Sequence, residues 1–445
     1  MTKTETPQSQ ATEAAGARPK VLRSFLTLGP GFVYALTVLG TGDLVSNSAA
    51  GAGYGYALIW ALGLTLVFRF VWVNTSAKYV LVTGESLLTG YARLGNWVVW
   101  IVLIAIIVLR HFYNLYQILM MGSAADLLFH LPTEWSMAIW AFFFTFAGFA
   151  LMYWGGYSAI ELFCKVLIGL MGGALVAAAL LSHPDPAGIA RGMFVPTIPG
   201  TQGLYSALFV LMALIGTEAG SMTNLTYAYF IREKGWRGVS HLKQQRFDLA
   251  FGIVCVFLMG TLLQIAAAGT IHPLGIELEG AEDLVRIFSE ALGVVGLVIF
   301  GLGLLGAAFS TFVGATAGYG LIITDICRSF IPRFKRPSNS GDEAKDVKRD
   351  PIYRWSLIIW SFSPLYIVFT DVRPIWLVLM VSSVVVVLIP VLALTLLKIT
   401  NDKSLMGKYK NGWFTNTVMI LLVLLAVYFT FLNGIDLWNQ LAGIF

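Results

Sequence analysis

Two carboxylates stand where a membrane-crossing segment should be driest. Asp43 lies in VLGTGDLVSN (38–47) and Glu218 in IGTEAGSMTN (215–224), each inside a long apolar run and each following a Gly-Thr pair. An ionisable side chain at membrane depth is costly, and its default meaning is an ion path, a proton relay or a counter-charge. Glycine-rich backbone at the same depth is tolerated only where it is packed in protein or lines a cavity. Carbonyls freed at a helix break, hydroxyls and carboxylates can together ligate a cation or hydrogen-bond a solute. Gly40, Thr41, Asp43 and Asn47 on the first run, and Gly216, Thr217, Glu218, Ser221 and Asn224 on the second, are therefore the candidate binding residues.

The elements that must position them are membrane helices. The chain is 57% hydrophobic and 12% charged, with a mean hydropathy of +0.77, against roughly 25% charged residues in ordinary globular domains. Apolar windows near the roughly 20 residues needed for a span fall at about 28–50, 56–80, 97–122, 133–153, 160–182, 205–231, 247–270, 293–327, 352–370, 373–398 and 413–432. An all-α polytopic protein of about eleven helices is expected. Two Gly-interrupted, acid-bearing spans five apart point to an inverted repeat of five plus five helices, with helices one and six broken at mid-membrane near 40–43 and 216–221. The first repeat would occupy 25–182 and the second 183–398, the latter carrying a basic loop at 328–350. Residues 399–445 would add the eleventh helix. Residues 1–24 are polar without an apolar core and read as a disordered tail, not a signal peptide.

The cations set the orientation. With the N-terminus inside, the cytoplasmic segments carry about 23 of the 29 Lys and Arg, the asymmetry that fixes topology. The net charge of +5 is thus spread over inner loops, with no domain to present it to nucleic acid. A plasma membrane location follows, with the lipid bilayer as the surrounding partner and a monomer as the expected unit. Trp97, Trp100, Trp135 and Trp376 are candidate interface anchors. Cys164, Cys255 and Cys327 lie in or at the end of spans without CxxC spacing, so no disulfide is expected. Neither a Walker loop nor HExxH nor GxSxG occurs, which excludes the common nucleotide-driven and hydrolytic enzymes; no cofactor is implied.

The runs GPGFVYALTVLGTGDLVSNSAAGAGYGYALIW with VTGESL, WVVWIVLIAII with MGSAADLLFHLP, and IPVLALTLLKITNDKSLMGKYKNGW resemble the Nramp divalent-metal transporters over about residues 28–432. The resemblance implies a LeuT-type fold and a substrate site between helices one and six. It also marks departures. Where the family has Asp-Pro-Gly-Asn, this chain has Gly40, Thr41, Gly42 and Asp43; where it has Met-Pro-His, this chain has no proline or histidine, and Ser221 takes the place of the sulfur ligand. The tenth-helix glutamine matches Ser382, and the third-helix acids of the family are absent.

Oxygen-only donors suit Mg²⁺, Ca²⁺ or Mn²⁺ over softer ions. The expected function is secondary transport of a hard divalent cation by alternating access, with protons as a candidate coupling ion. Two other readings stand beside it: the same scaffold carrying a small organic or anionic solute, and a sensor that does not transport. Arg69 and Arg110 also lie at membrane depth, and acid–arginine pairs there would weigh against a metal, whereas arginines placed elsewhere would favour one. In the third span Arg110, His111, Asn114 and Gln117 form a polar stripe at near-helical spacing, in which His111 could relay a proton or serve as a hydrogen-bonded structural group. The Gly- and Ala-rich run 301–325, with Thr311 among its polar residues, reads as helix packing.

Overall fold

The computed structural model describes residues 40–154, 157–200, 204–220, 222–334 and 349–442. Its long helices are α1 (Thr41–Tyr54), α2 (Ile59–Thr83), α3 (Asn96–Leu128), α4 (Ser136–Trp154), α5 (Tyr157–Leu181), α6 (Ala207–Leu214), α7 (Thr223–Glu233), α8 (Leu242–Thr270), α9 (Ala281–Phe330), α10 (Pro351–Phe362), α11 (Pro374–Val385), α12 (Ile389–Asn401) and α13 (Trp413–Ala442). No strand occurs among the described residues. Every expected span has its helix, except that the first is described only from Gly40 onward.

Burial separates centre from rim. In the sixth span, α6 through α7, 88% of the residues in its 18-residue apolar stretch are buried, against 28% in that of α4. Helix α4 turns Phe143 and Phe146 outward and carries exposed Trp135 and Trp154 at its two ends, the pattern of a lipid-facing helix anchored at both interfaces. Trp97, Trp100 and Trp376 are likewise exposed near helix starts. In the middle, α1 packs on α8, α6 and α11, while α3 and α9 form the broadest contact of the bundle. The side chain of Cys164 lies outside the described side chains; Cys255 and Cys327 are free thiols.

Three details depart from the sequence reading. The first break is narrower than 40–43: Gly40 is extended (φ −92°, ψ −176°) and α1 is helical from Thr41 onward. Asp43 explains this, because its Oδ2 accepts the Gly40 N–H at 3.1 Å and its charge suits a helix N-terminus. The sixth span is not unwound across 216–220, and Ser221 lies outside the described residues. Ile215–Ala219 form a π-turn, closed by Gly220 N–H donating to the Ile215 carbonyl at 2.9 Å, and a new helix starts at Thr223. Such widened turns relax the backbone without leaving its groups bare. The eighth helix begins at Ala281, not 293, because Asp283 accepts the N–H groups of Glu279 and Gly280. Gly293, at φ 60°, then kinks this amphipathic prelude away from the span.

Candidate functional site

The two breaks meet. A Cβ on Gly42 would stand 3.1 Å from the Thr217 side chain, and one on Gly216 would stand 1.7 Å from the Ser382 carbonyl oxygen. Only glycine lets the π-turn lie against α11 at that distance. In the second Gly-Thr pair the duties are separate: Gly216 lets two backbones approach and Thr217 faces the space left beside them.

That space is a cavity of about 40 Å³ lined by Gly40, Gly42, Asp43, Arg69, Arg110, Tyr113, Tyr116, Gln117, Thr217, Thr311, Ala315, Tyr319 and Ser382. At roughly 10–15 Å³ of such space per water, it holds a few waters or one small group. A larger cavity, about 200 Å³, lies at the C-terminal end of α1 among Tyr54, Tyr205, His272 and Glu277.

One wall of the smaller cavity is a charge cluster. Arg69 Nη1 donates to Glu218 Oε2 at 2.6 Å and lies 3.9 Å from Asp43 Oδ1. Its Nε donates to Asn224 Oδ1 at 3.3 Å, and Asn224 Nδ2 donates to the Ala219 carbonyl at 2.8 Å. A single guanidinium on α2 is therefore held by carboxylates from both broken spans. The cluster is dry: Arg69 is 1% exposed and Glu218 0%. Asp43 Oδ1, Glu218 Oε1 and Thr217 Oγ1 have no hydrogen-bond partner among the described residues.

The opposite wall comes from α3 and α9. Arg110 is 2% exposed and donates through Nη2 to Asn114. Asn114 in turn donates to the Trp360 carbonyl at 2.7 Å and contacts Thr316. The guanidinium carbon of Arg110 lies 5.7 Å from the Tyr113 ring centre and 5.5 Å from that of Tyr319. Thr41 Oγ1 donates to Gln117 Oε1 at 2.8 Å, leaving Gln117 Nε2, together with Arg110 Nε and Thr311 Oγ1, without a partner among the described residues.

Of the residues singled out from sequence, Gly40, Asp43, Thr217, Ser382, Arg69, Arg110 and Gln117 line this cavity. Glu218 and Asn224 stand behind it through Arg69, and Thr41 through Gln117. Gly216 is the contact with α11. Asn47 faces α8, where its Oδ1 accepts from Gln264 Nε2 at 2.8 Å, and Asn114 anchors Arg110. Ser221 lies outside the described residues. His111 points away from the cavity, with Nδ1 3.0 Å from Ser363 Oγ and Nε2 3.4 Å from Tyr366 Oη. Tyr113, Tyr319 and Ala315 were not foreseen, and Thr311 was assigned to packing. Tyr113 falls on the Arg110–Gln117 face of α3, which the stripe could have flagged had phenols been counted as polar.

No group of three or more His, Cys, Asp or Glu side chains that could hold a metal occurs among the described residues. A metal seated here would rest on Asp43 and Glu218 plus hydroxyl, carbonyl and water oxygen. That donor set suits an ion that keeps several waters and takes one or two carboxylates.

Comparison with known proteins places this geometry in a lineage. Protein chains described as "Divalent metal cation transporter MntH" are 24% identical in Caldanaerobacter subterraneus subsp. tengcongensis, over 95% of both chains, and 25% identical in Yersinia pestis, over 90% of this chain and 92% of that one. The Eremococcus coleocola manganese transporter, in complex with an aromatic bis-isothiourea compound, superposes with a TM-score of 0.69 at 16% identity, over 90% of this chain and 85% of that one. Mhp1, a nucleobase-cation-symport-1 family transporter, superposes with a TM-score of 0.57 at 12% identity, over 91% and 92%. These likenesses establish the LeuT-type fold. A family model described as "Natural resistance-associated macrophage protein-like" matches residues 31–438, so the chain belongs to the Nramp family of membrane transporters.

Proposed function

We propose that this chain is a secondary transporter that moves a hard divalent cation of the Mg²⁺ or Mn²⁺ kind across the plasma membrane by alternating access, with its N-terminus in the cytoplasm. The observation that carries this reading is the set of oxygens left over at the two breaks: Asp43 Oδ1, Glu218 Oε1 and Thr217 Oγ1 are buried without a hydrogen-bond partner among the described residues. The names of the relatives, divalent metal cation and manganese transporters, support it. The guanidinium occupies the place between the acids, so it weighs against a metal seated there while the pair is closed. The reading therefore requires Arg69 to exchange with the incoming ion. With no sulfur side chain among the described residues that line the cavity, selection by softness has no thioether to work through.

A second reading is favoured by Arg110, a buried cation with no carboxylate within ion-pair distance among the described residues. On that reading the same cavity carries a small solute with an anionic group.

Liposomes containing the purified protein decide between them. Uptake of Mn²⁺ or Mg²⁺ with little preference for Cd²⁺, lost in Asp43→Asn, is the result expected of the cation reading. A strong Cd²⁺ preference would contradict the oxygen-only site, and no flux of any divalent ion would transfer the function to the solute reading.

A further inference from the structure

We propose that the α3–α9 wall of the central cavity is an anion-binding subsite: Arg110, Gln117 and Thr311 receive one small monovalent anionic group, such as a chloride ion or a carboxylate. This deepens the second reading of the cavity and does not depend on which cation uses the Arg69 wall.

The charge arithmetic is local. Asp43 and Glu218 close on Arg69, whereas no acid lies within ion-pair distance of Arg110 among the described residues. A guanidinium that is 2% exposed must be compensated in some way. Asn114 supplies one neutral acceptor, and two tyrosine rings at 5.5 and 5.7 Å supply cation–π attraction. These are weak substitutes for a counter-charge. Meanwhile Arg110 Nε, Gln117 Nε2 and Thr311 Oγ1 are buried without partners, and all three side chains line the same cavity. Each can donate a hydrogen bond, and two of them can only donate. Three unused donors beside an uncompensated positive charge match an acceptor with negative charge, and the 40 Å³ available limits it to a few atoms.

Such a subsite would also act on the other wall. A negative charge bound across a small, buried cavity attracts a cation into that cavity more strongly than it would in bulk water. Cation and anion would then enter as a pair, either as two ions or as the two ends of one zwitterion.

The test is thermal unfolding of the full-length protein in detergent, with the bulky sulfonate buffer MES as the only other anion and ionic strength held constant with its sodium salt. Chloride, formate and glycine are titrated separately. A saturable rise in melting temperature is expected from chloride or formate if the anion is free, and from glycine alone if the carboxylate belongs to a zwitterionic solute. In either case Arg110→Gln should weaken the apparent affinity about tenfold or more, and Thr311→Val about threefold. His111→Phe, which lies outside the cavity, should leave the affinity as in the wild type. Should Arg110→Gln fail to fold, Thr311→Val and Gln117→Leu carry the same comparison from the neutral donors. The proposal is overturned if none of the three ligands stabilises the wild type saturably, or if the stabilisation survives the loss of these donors. Divalent uptake by liposomes is a separate readout, so its absence leaves this result intact and the reverse also holds.

Discussion

The two walls of the central cavity each hold a buried arginine, and they treat it differently. On the α1/π-turn side, Arg69 has a carboxylate at 2.6 Å, another at 3.9 Å and an amide at 3.3 Å. On the α3/α9 side, Arg110 has an amide and two phenol rings. Breaking a buried ion pair strands a charge, whereas removing an uncompensated charge relieves one. Equal burial therefore does not mean equal dependence: one wall is held together by its arginine, and the other only houses one.

Substitutions can break or sharpen that contrast. The largest effect should fall on the joint between the π-turn and α11. Gly216→Val places a branched side chain where a Cβ alone would stand 1.7 Å from the Ser382 carbonyl, and we expect no folded protein by size-exclusion chromatography. Glu218→Gln comes next, because it removes the short partner of Arg69. A loss of roughly 3–5 kcal/mol is expected, seen as a large drop in melting temperature. Asp43→Asn should cost only about 1 kcal/mol, since Arg69 keeps Glu218 and an Asn oxygen can still accept the Gly40 N–H. Its uptake in liposomes should nevertheless be lost. If Asp43→Asn proves as damaging to folding as Glu218→Gln, the 3.9 Å contact has been undervalued. Arg110→Gln should leave the stability within about 1 kcal/mol of wild type or raise it, and a loss as large as that of Glu218→Gln would erase the contrast. His111→Phe, the smallest effect, removes two hydrogen bonds between α3 and the segment Ser363–Phe369 that follows α10 and should cost about 1 kcal/mol without altering the pH dependence of uptake. A changed pH profile would place His111 in the coupling path after all.

Much of this was legible in the chain. Asp43 and Glu218 announce themselves because an acid in an apolar run has few benign explanations, and Arg69 and Arg110 for the same reason. Which arginine meets which acid was not legible. Periodicity tells which face of a helix a residue occupies, but not which helix stands opposite. Arg69 and Glu218 are separated by 149 positions, and only the packing of α2 against the π-turn joins them. The turn itself was hidden as well, because IGTEA reads equally as helix, π-turn or unwound segment. Tyr113, Tyr319 and Thr311 escaped for a different reason: phenols and threonines in apolar spans usually serve packing, and their role here comes from the arginine between them. The eighth helix was read too short because a hydropathy window detects what lipid requires and is blind to an amphipathic turn started by Asp283.

The balance of charges around the cavity has an electrical consequence. With both carboxylates ionised, Asp43 and Glu218 equal Arg69 and Arg110 in number, so the formal charge of the four sums to zero although both acids close on Arg69 and none pairs with Arg110 among the described residues. Moving one elementary charge through a membrane potential involves about 2.3 kcal/mol per 100 mV. A carrier whose moving parts sum to zero should reorient without ligand at a rate nearly indifferent to voltage, while the loaded step feels only the charge of its cargo. Transient currents recorded without substrate would then be close to nil, and steady current would count the net valence carried in each cycle.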